Sequence, residues 1–519
     1  MKTNILKVIT VAVASIVFAV LLLLFCDFAG WMQDFPDLAR IQFIPALLRG
    51  SIIAVVSLIL MTFIFGRLYC SIICPFGILQ DIISWFTRRG KKKNRRRLWF
   101  RYAKPQNILR YSILALCIIS LLSGTTALIS HLDPYSNFGR IATNLFRPVA
   151  VVLNNIVSNV GEKFHNYDIY HVTLHTHEIV SITFAASVLA AVAVMSLMRG
   201  RLFCNTICPV GSLLGLISKY SLFKITINQE HCTGCGLCEK ACKAQCISSK
   251  NKHVDGSRCV ACFNCLDRCR ENGVKYRLSI PFHKVPAVAR PSIADRAGRR
   301  DFLATGVAVA ATLPFVHTLA ANRHNGIIDE TKLTPITPPG SISLEHFKKH
   351  CTACHLCITH CPQQILKPAK FNFGFSYLLK PHLVFYEMAY CNYGCTVCSE
   401  ICPNGAIHRL TSEEKQVTQI GIAEFDQSRC VVFTDNTSCG ACSEHCPTQA
   451  VHMVDYKDGL TIPHVLPEIC IGCGACESIC PVIPVKAINV RANEVHKIAE
   501  KPVDEEQKAV NQEDLDFGF

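Results

Sequence analysis

The sequence predicts a mixed fold: a polytopic α-helical membrane domain of about four spans, built as a duplicated two-helix unit, followed by small cysteine-rich α+β modules. Three observations carry this reading. Half of the 519 residues are apolar, and the excess lies in the first 200. Four stretches there approach the ~20 residues needed to cross a hydrocarbon core. The remainder holds most of the 31 cysteines, in six runs of four.

The expected spans are residues 5–25, 50–66, 108–130 and 178–198. Runs such as Val11 to Phe25 have no polar face to show water, which argues against buried soluble helices. Residues 88–104 contain ten Lys or Arg and account for much of the net charge of +15. Between two spans, such a block reads as a cytoplasmic loop under the positive-inside rule, not as a nucleic-acid surface. Met1, Arg199 and Arg201 then lie on the cytoplasmic side. The segments Asp27 to Asp37 and His131 to His177 face the other side.

A repeat lies within this half. Gly66-Arg67-Leu68-Tyr69-Cys70, with Cys74-Pro75-Phe76-Gly77, recurs as Gly200-Arg201-Leu202-Phe203-Cys204, with Cys208-Pro209-Val210-Gly211. Each copy follows an inward-running span, so residues 1–224 read as two helix pairs, each ending in C-x3-C-P. Cysteines at i and i+4 share a helix face, and the proline prevents regular continuation. Cys70, Cys74, Cys204 and Cys208 are therefore candidate redox or metal thiols, for a disulfide relay or a copper or iron site. Cys26 and Cys117 lie inside spans and read as packing residues.

The six cysteine runs have a narrower meaning. Cys232, Cys235, Cys238 and Cys242 open the series, followed by Cys259, Cys262, Cys265 and Cys269. Cys351, Cys354, Cys357 and Cys361 come next, then Cys391, Cys395, Cys398 and Cys402. Cys430, Cys439, Cys442 and Cys446 form the fifth run, and Cys470, Cys473, Cys476 and Cys480 the sixth. A tight loop supplies three thiolates to a [4Fe–4S] cluster, and the fourth cysteine reaches a neighbouring cluster, as in bacterial ferredoxins. Disulfide frameworks belong to short secreted domains, and zinc ribbons pair C-x2-C units across a dozen or more residues. Cys351-Thr352-Ala353-Cys354-His355 matches a haem-attachment signal, but Cys357 and Cys361-Pro362 complete a ferredoxin run around it. The cofactors expected are six [4Fe–4S] clusters.

Residues 225–283 thus read as a two-cluster ferredoxin domain. By crossover, Cys232, Cys235, Cys238 and Cys269 hold one cluster, while Cys259, Cys262, Cys265 and Cys242 hold the other. Lys243 and Arg270 stand where prolines are usual, and Cys246 is a spare for Cys242. Residues 284–340 form a linker with Pro286 and Pro291. It contains Arg299-Arg300-Asp301-Phe302-Leu303 and an apolar run from Ala304 to Ala321, read as a twin-arginine export signal or a fifth span. Residues 341–490 carry the last four clusters. The wide Cys430-x8-Cys439 spacing suits an insertion that supplies a docking surface, and residues 491–519 read as a disordered acidic tail.

With C-x3-C-P repeats joined to a two-cluster segment, the first 280 residues resemble the NapH family of membrane quinol dehydrogenase subunits. Residues 299–490 resemble NapG, its twin-arginine-exported four-cluster partner, so the chain looks like a natural fusion of the two. The resemblance implies menaquinol or ubiquinol as the electron donor and a bacterial inner-membrane location. It implies cytoplasmic clusters at 232–269 and periplasmic ones at 351–480. It also implies delivery to a terminal reductase or c-type cytochrome, as in periplasmic nitrate reduction. Neither a molybdenum site nor a nicotinamide fingerprint is visible. CcoG-like cupric reductases share the paired C-x3-C-P motifs and the two-cluster segment, but leave the last four clusters without a purpose. A third reading is a structural anchor of a reductase complex. Quinol oxidation needs a proton acceptor near lipid. The outward segments offer His131, Asp133 and Glu178, with His165, His171, His175 and His177 nearby.

Overall fold

A computed structural model describes residues 5–27, 30–33, 35–88, 100–165, 167–173, 178–279, 334–386 and 388–501. Most of the basic loop, His175, His177, the arginine pair 299–300 and the run 304–321 lie outside the described residues. The chain divides into two compact units. One holds the described residues up to Ser279 together with His350–Leu356 and Pro403–Gly405, and the other holds the rest from residue 334 onward.

The first unit is built on helices α1 (Ile5–Cys26), α2 (Ile52–Phe65), α3 (Pro75–Arg88) and α4 (Asn107–Leu122). Helices α5 (Pro134–Lys163, with one π turn at Ala142–Phe146), α6 (Ile179–Arg199) and α7 (Pro209–Ser218) complete it. Among the described residues, α1, α5 and α6 are long and apolar enough to cross a membrane. Their surfaces are inverted relative to those of a water-soluble bundle. Val149, Val152, Leu153, Ile156 and Val160 are exposed on α5, whereas Asn137, Arg140, Asn144 and Arg147 of the same helix are buried. A helix facing lipid shows apolar side chains outward and satisfies its polar groups against protein.

Two expectations need correction here. Most of residues 131–177 is helix and not loop, since α5 fills 134–163. Its buried arginines and asparagines lower the mean hydropathy and hide the apolar outer face from a sequence scan. The expected spans at 50–66 and 108–130 are helices of 14 and 16 residues. Gly50 and Gly124, both in the left-handed region, interrupt the chain beside them.

At the end of α2 and α6, a small α+β lobe follows. Strands β1 (Phe223–Ile227) and β2 (Val274–Leu278) pair antiparallel, with Ile225 opposite Tyr276. Phe223 stacks on Phe65 at 5.9 Å, and the Leu222 amide donates to the Phe63 carbonyl at 2.9 Å, so the lobe is seated on α2. Lys7, at the start of α1, reaches Asp267 at 2.8 Å.

Among the described residues, the second unit contains three antiparallel ribbons: the short pair Leu366–Pro368 with Pro381–Leu383, β3 (Thr418–Phe425) with β6 (Ile488–Ile498), and β4 (Val451–Asp455) with β5 (Thr461–Val465). Strand β6 runs past residue 490, where the tail was expected to begin. A register shift between Ala492 and Lys497 lets it re-pair with Gln419 and Thr418 despite its polar composition. The unit also starts before residue 341, since the Leu383 amide donates to the Ile336 carbonyl at 2.9 Å.

Candidate iron–sulfur and thiol sites

Four of the six cysteine loops share one backbone. The residues just before and just after the middle cysteine adopt positive φ: Gly234 and Gly236, Ala261 and Phe263, Ala353 and His355, and Gly472 and Gly474. Non-glycine residues rarely accept this conformation, and it persists where the surroundings impose it, as at functional sites. It curls the loop so that amides turn inward as an anion-binding nest. The Ala353 amide reaches Cys351 Sγ at 3.4 Å, and the Ala423 amide reaches Cys470 Sγ at 3.5 Å.

The thiols meet in sets of four. Cys238 lies within electrostatic range of Cys232, Cys235 and Cys269, and Cys265 of Cys262, Cys259 and Cys242. In the second unit, Cys361, Cys391, Cys395 and Cys398 line one cavity of about 400 Å³, and Cys446, Cys470, Cys473 and Cys476 line another of about 280 Å³. Cys430, Cys439, Cys442 and Cys480 form a further set. Burial pushes the Cys238 thiol up to about 11 and the Cys442 and Cys473 thiols up to about 12. Such thiolates need a counter-charge, which a cubic iron–sulfur core supplies, so these residues fit the group. Cys351 and Cys354 belong to the first unit, and Cys357 and Cys402 to the second.

Cys246 stands closer to the second set than a spare would need to. It is fully buried, its sulfur lies 3.5 Å from Cys242 Sγ, and it hydrogen-bonds Cys259 as well. The contact with Cys246, chiefly, draws the Cys242 thiol down to about 7. That pocket holds five thiols.

The C-x3-C-P motifs also come together. Cys74 lies within electrostatic range of Cys204 and Cys70, and Cys208 of all three. All four are 3–4% exposed. The scaffold around them is reciprocal. Arg67, from the first motif, donates to the Cys204 carbonyl at 3.1 Å, and Arg201, from the second, donates to the Cys70 carbonyl. Gly77 and Gly211 make room for these crossings. A Cβ on Gly211 would stand 2.2 Å from the Cys204 carbonyl oxygen and 2.8 Å from Arg67, and one on Gly77 would stand 2.5 Å from the Cys70 oxygen and 2.7 Å from Arg201. The sulfurs receive donors: Gln80 to Cys204 at 3.2 Å, the Gly211 amide to Cys208 at 3.2 Å, and Arg67 to Cys70 at 3.7 Å.

The sequence reading missed the ion cluster beneath this site. Arg201, expected on the cytoplasmic side, is fully buried. It donates to Asp81 through Nε at 2.9 Å and through Nη2, and Lys243 approaches the same carboxylate at 2.7 Å. Burial opposes ionisation of Asp81, but Arg201 and Lys243 outweigh it and hold the carboxyl at about 2. The signal available in the sequence was the Gly-Arg pair shared by the heads of both repeats.

Of the proton-acceptor candidates, Asp133 is buried as the N-cap of α5, accepting from the Ser136 amide at 2.9 Å and the Ser136 hydroxyl at 2.6 Å. His131 sits beside it, with Nδ1 2.7 Å from the Ala127 carbonyl and its ring edge-on to Phe184. Glu178 precedes α6, where its carbonyl accepts from the Ser181 amide at 3.0 Å. The Cys351–Cys354 loop packs on the same helix end. The Ser136 and Thr352 hydroxyls are 2.7 Å apart, and Arg140 donates to the Ala353 carbonyl at 3.3 Å.

A family described as a 4Fe-4S binding domain matches residues 47–94 and again 181–228, a second of the same description matches 225–248, and a 4Fe-4S dicluster domain matches 390–450 and 436–484. An uncharacterized protein of Methanocaldococcus jannaschii, MJ0749, is 26% identical over 44% of this chain and 71% of its own. The methylamine utilization ferredoxin-type protein MauN of Paracoccus denitrificans is 25% identical over 43% of this chain and 59% of its own. The ferredoxin-type protein NapH of Haemophilus influenzae is 24% identical over 41% of this chain and 62% of its own. The chain thus spans about three fifths of the length of MauN and of NapH. No solved structure matches. The chain carries 4Fe-4S binding domains and resembles NapH and MauN.

Proposed function

We propose that the chain is a membrane iron–sulfur electron-transfer protein, a quinol dehydrogenase that takes electrons from menaquinol or ubiquinol and delivers them to a partner reductase. Periplasmic nitrate reductase is the acceptor that the NapH likeness suggests, directly or through a c-type cytochrome. The observation that carries this reading is the seating of the Cys351–Cys354 loop on α5 beside His131. His131, in the short helix just before α5, has its carbonyl held by Asn137 of α5 at 2.8 Å, so a proton acceptor and an electron-accepting loop are fixed to the same helix end.

When bound, six [4Fe–4S] clusters supply one-electron redox chemistry. The protein's own residues do the rest. The Ala127 carbonyl holds the His131 Nδ1 proton, which leaves Nε2 as the basic nitrogen to receive a proton from the quinol hydroxyl. Asp133 and Ser136 fix the end of α5 on which that histidine depends. Arg140, buried within range of Cys351 and Cys354, opposes the negative charge of their thiolates. Buried Lys415 does the same for Cys391. Residues 433–438 form an exposed segment within the fifth run, the surface assigned here to the partner reductase.

In this reading the protein sits in a bacterial inner membrane with Cys232–Cys269 on the cytoplasmic side and Cys351–Cys480 on the periplasmic side. A reduced menaquinol analogue should bleach the cluster absorbance of the anaerobically purified full chain, and a quinol-site inhibitor should prevent it. His131→Gln should slow that reduction by roughly 10²–10⁴-fold, the usual contribution of a positioned base. The four buried C-x3-C-P thiols favour one rival, since soft thiolates also suit copper(I). Ready reduction of copper(II), with no bleaching by quinol, would establish a cupric reductase instead.

A further inference from the structure

We propose that Cys70, Cys74, Cys204 and Cys208 together hold a further [4Fe–4S] cluster, and that this centre carries electrons between the loops of residues 232–269 and the Cys351–Cys354 loop. The inference rests on the ferredoxin-type loops being cluster sites, but not on quinol being the donor. The four thiols are buried and mutually close, and three of their sulfurs receive N–H donors at 3.2–3.7 Å. Such hydrogen bonds to sulfur set the potential of iron–sulfur centres. The stretches matched as a 4Fe-4S binding domain, 47–94 and 181–228, contain no cysteines other than these four.

Charge selects among the possible occupants. Arg67 and Arg201 are fully buried, with Asp81 and Lys243 beside Arg201. Buried Arg110 donates to the Gly211 carbonyl as well, so the cations around the site outnumber the Asp81 carboxylate. An oxidised cubic core with four thiolates carries two negative charges, which offset part of this excess. A pair of disulfides would bring no negative charge to offset that excess.

Position says what the centre does. On one side, Ser71 donates to the Val260 carbonyl at 2.5 Å, and Arg67 to the Ser257 carbonyl at 3.2 Å, so the thiol site adjoins the loop of Cys259 and Cys262. On the other, Tyr69 lies within electrostatic range of both Cys74 and Asp133. Asp133 is linked through Ser136 to Thr352, the residue after Cys351. The thiol site thus adjoins the first loop through hydrogen bonds and lies within electrostatic range of the residues that hold the second. Held by Cys70, Cys74, Cys204 and Cys208, such a centre would take one electron from a reduced neighbouring cluster and pass it to the next, with Arg67, Arg201 and the N–H donors to sulfur offsetting the added negative charge. No bond forms, and no proton moves.

The test is iron and acid-labile sulfide analysis of the full chain purified anaerobically, with Mössbauer spectroscopy and mass mapping of alkylated cysteines. Seven clusters predict about 28 iron atoms per chain, and six predict about 24. The expected result is the higher value, with Cys70, Cys74, Cys204 and Cys208 protected from alkylation until iron is removed, and a fall to about 24 in the Cys74→Ser/Cys208→Ser double variant. A wild-type value near 24 with these cysteines alkylated, disulfide-linked or carrying copper overturns the proposal, whether or not the variant folds. Bleaching by quinol in that same wild-type preparation would leave the functional reading standing.

Discussion

Replacing Asp81 with Asn is expected to destabilise the first unit by about 3–5 kcal/mol, because it leaves buried charge without its counter-ion. Arg201 is fully buried and Lys243 largely so, and both are directed at that carboxylate. Asn keeps the shape and one acceptor oxygen but not the charge. Arg201 also braces the Cys70 carbonyl, so the loss should spread to the C-x3-C-P site. The measurement is thermal unfolding of the detergent-purified protein. The pH dependence has a definite sign. The Asp81 carboxyl ionises at about 2 in the folded protein, below its unfolded value of about 3.9. Its stabilisation is therefore complete above the unfolded value and is lost as pH falls towards 2. The Asn variant should lack this dependence and differ most from wild type at neutral pH.

The second large effect is expected at Cys473. Its carbonyl accepts from the Cys391 amide at 2.9 Å, and the two thiols lie within electrostatic range. Cys476 is in turn within range of Cys442. The set of Cys446, Cys470, Cys473 and Cys476 therefore stands between the Cys391 set and the exposed Cys430–Cys442 end. Cys473→Ala should lower the iron content by about four atoms and abolish delivery to a reductase or artificial acceptor at that end. Reduction of the Cys361–Cys398 set by added donor should persist. Normal delivery by a variant that has lost the iron would show that electrons leave by another route.

The cysteine runs were legible because ligation by tight loops is local, and six repetitions leave little else for them to mean. What was not legible depends on distance along the chain. Arg201 and Asp81 are 120 residues apart, as Arg67 and Cys204 are 137 apart, and nothing in either neighbourhood announces the other. Arg201 therefore read as a loop charge. Helix α5 was missed for a related reason: Arg140, Asn144 and Arg147 look solvated in sequence, yet they turn inward and leave the valines for lipid. Nor could spacing reveal that Cys351 and Cys354 pack with the helical unit, because that depends on Ser136 and Arg140, more than 200 residues away. The capping role of Asp133 was written in its Pro134 and Ser136, a helix-start signature that the proton-acceptor reading passed over.

The central claim is that one chain carries electrons from one membrane face to the other. Topology tests it most directly. A reporter active only outside the cytoplasm, fused after Phe519, should be active, and one fused after Arg277 should be silent. Activity of the Phe519 fusion should fall when Arg299 and Arg300 are both changed to Lys, since export receptors read the arginine pair as an address. A silent Phe519 fusion would contradict the account: both sets of clusters would then lie on the cytoplasmic face, and a periplasmic reductase could not be the acceptor.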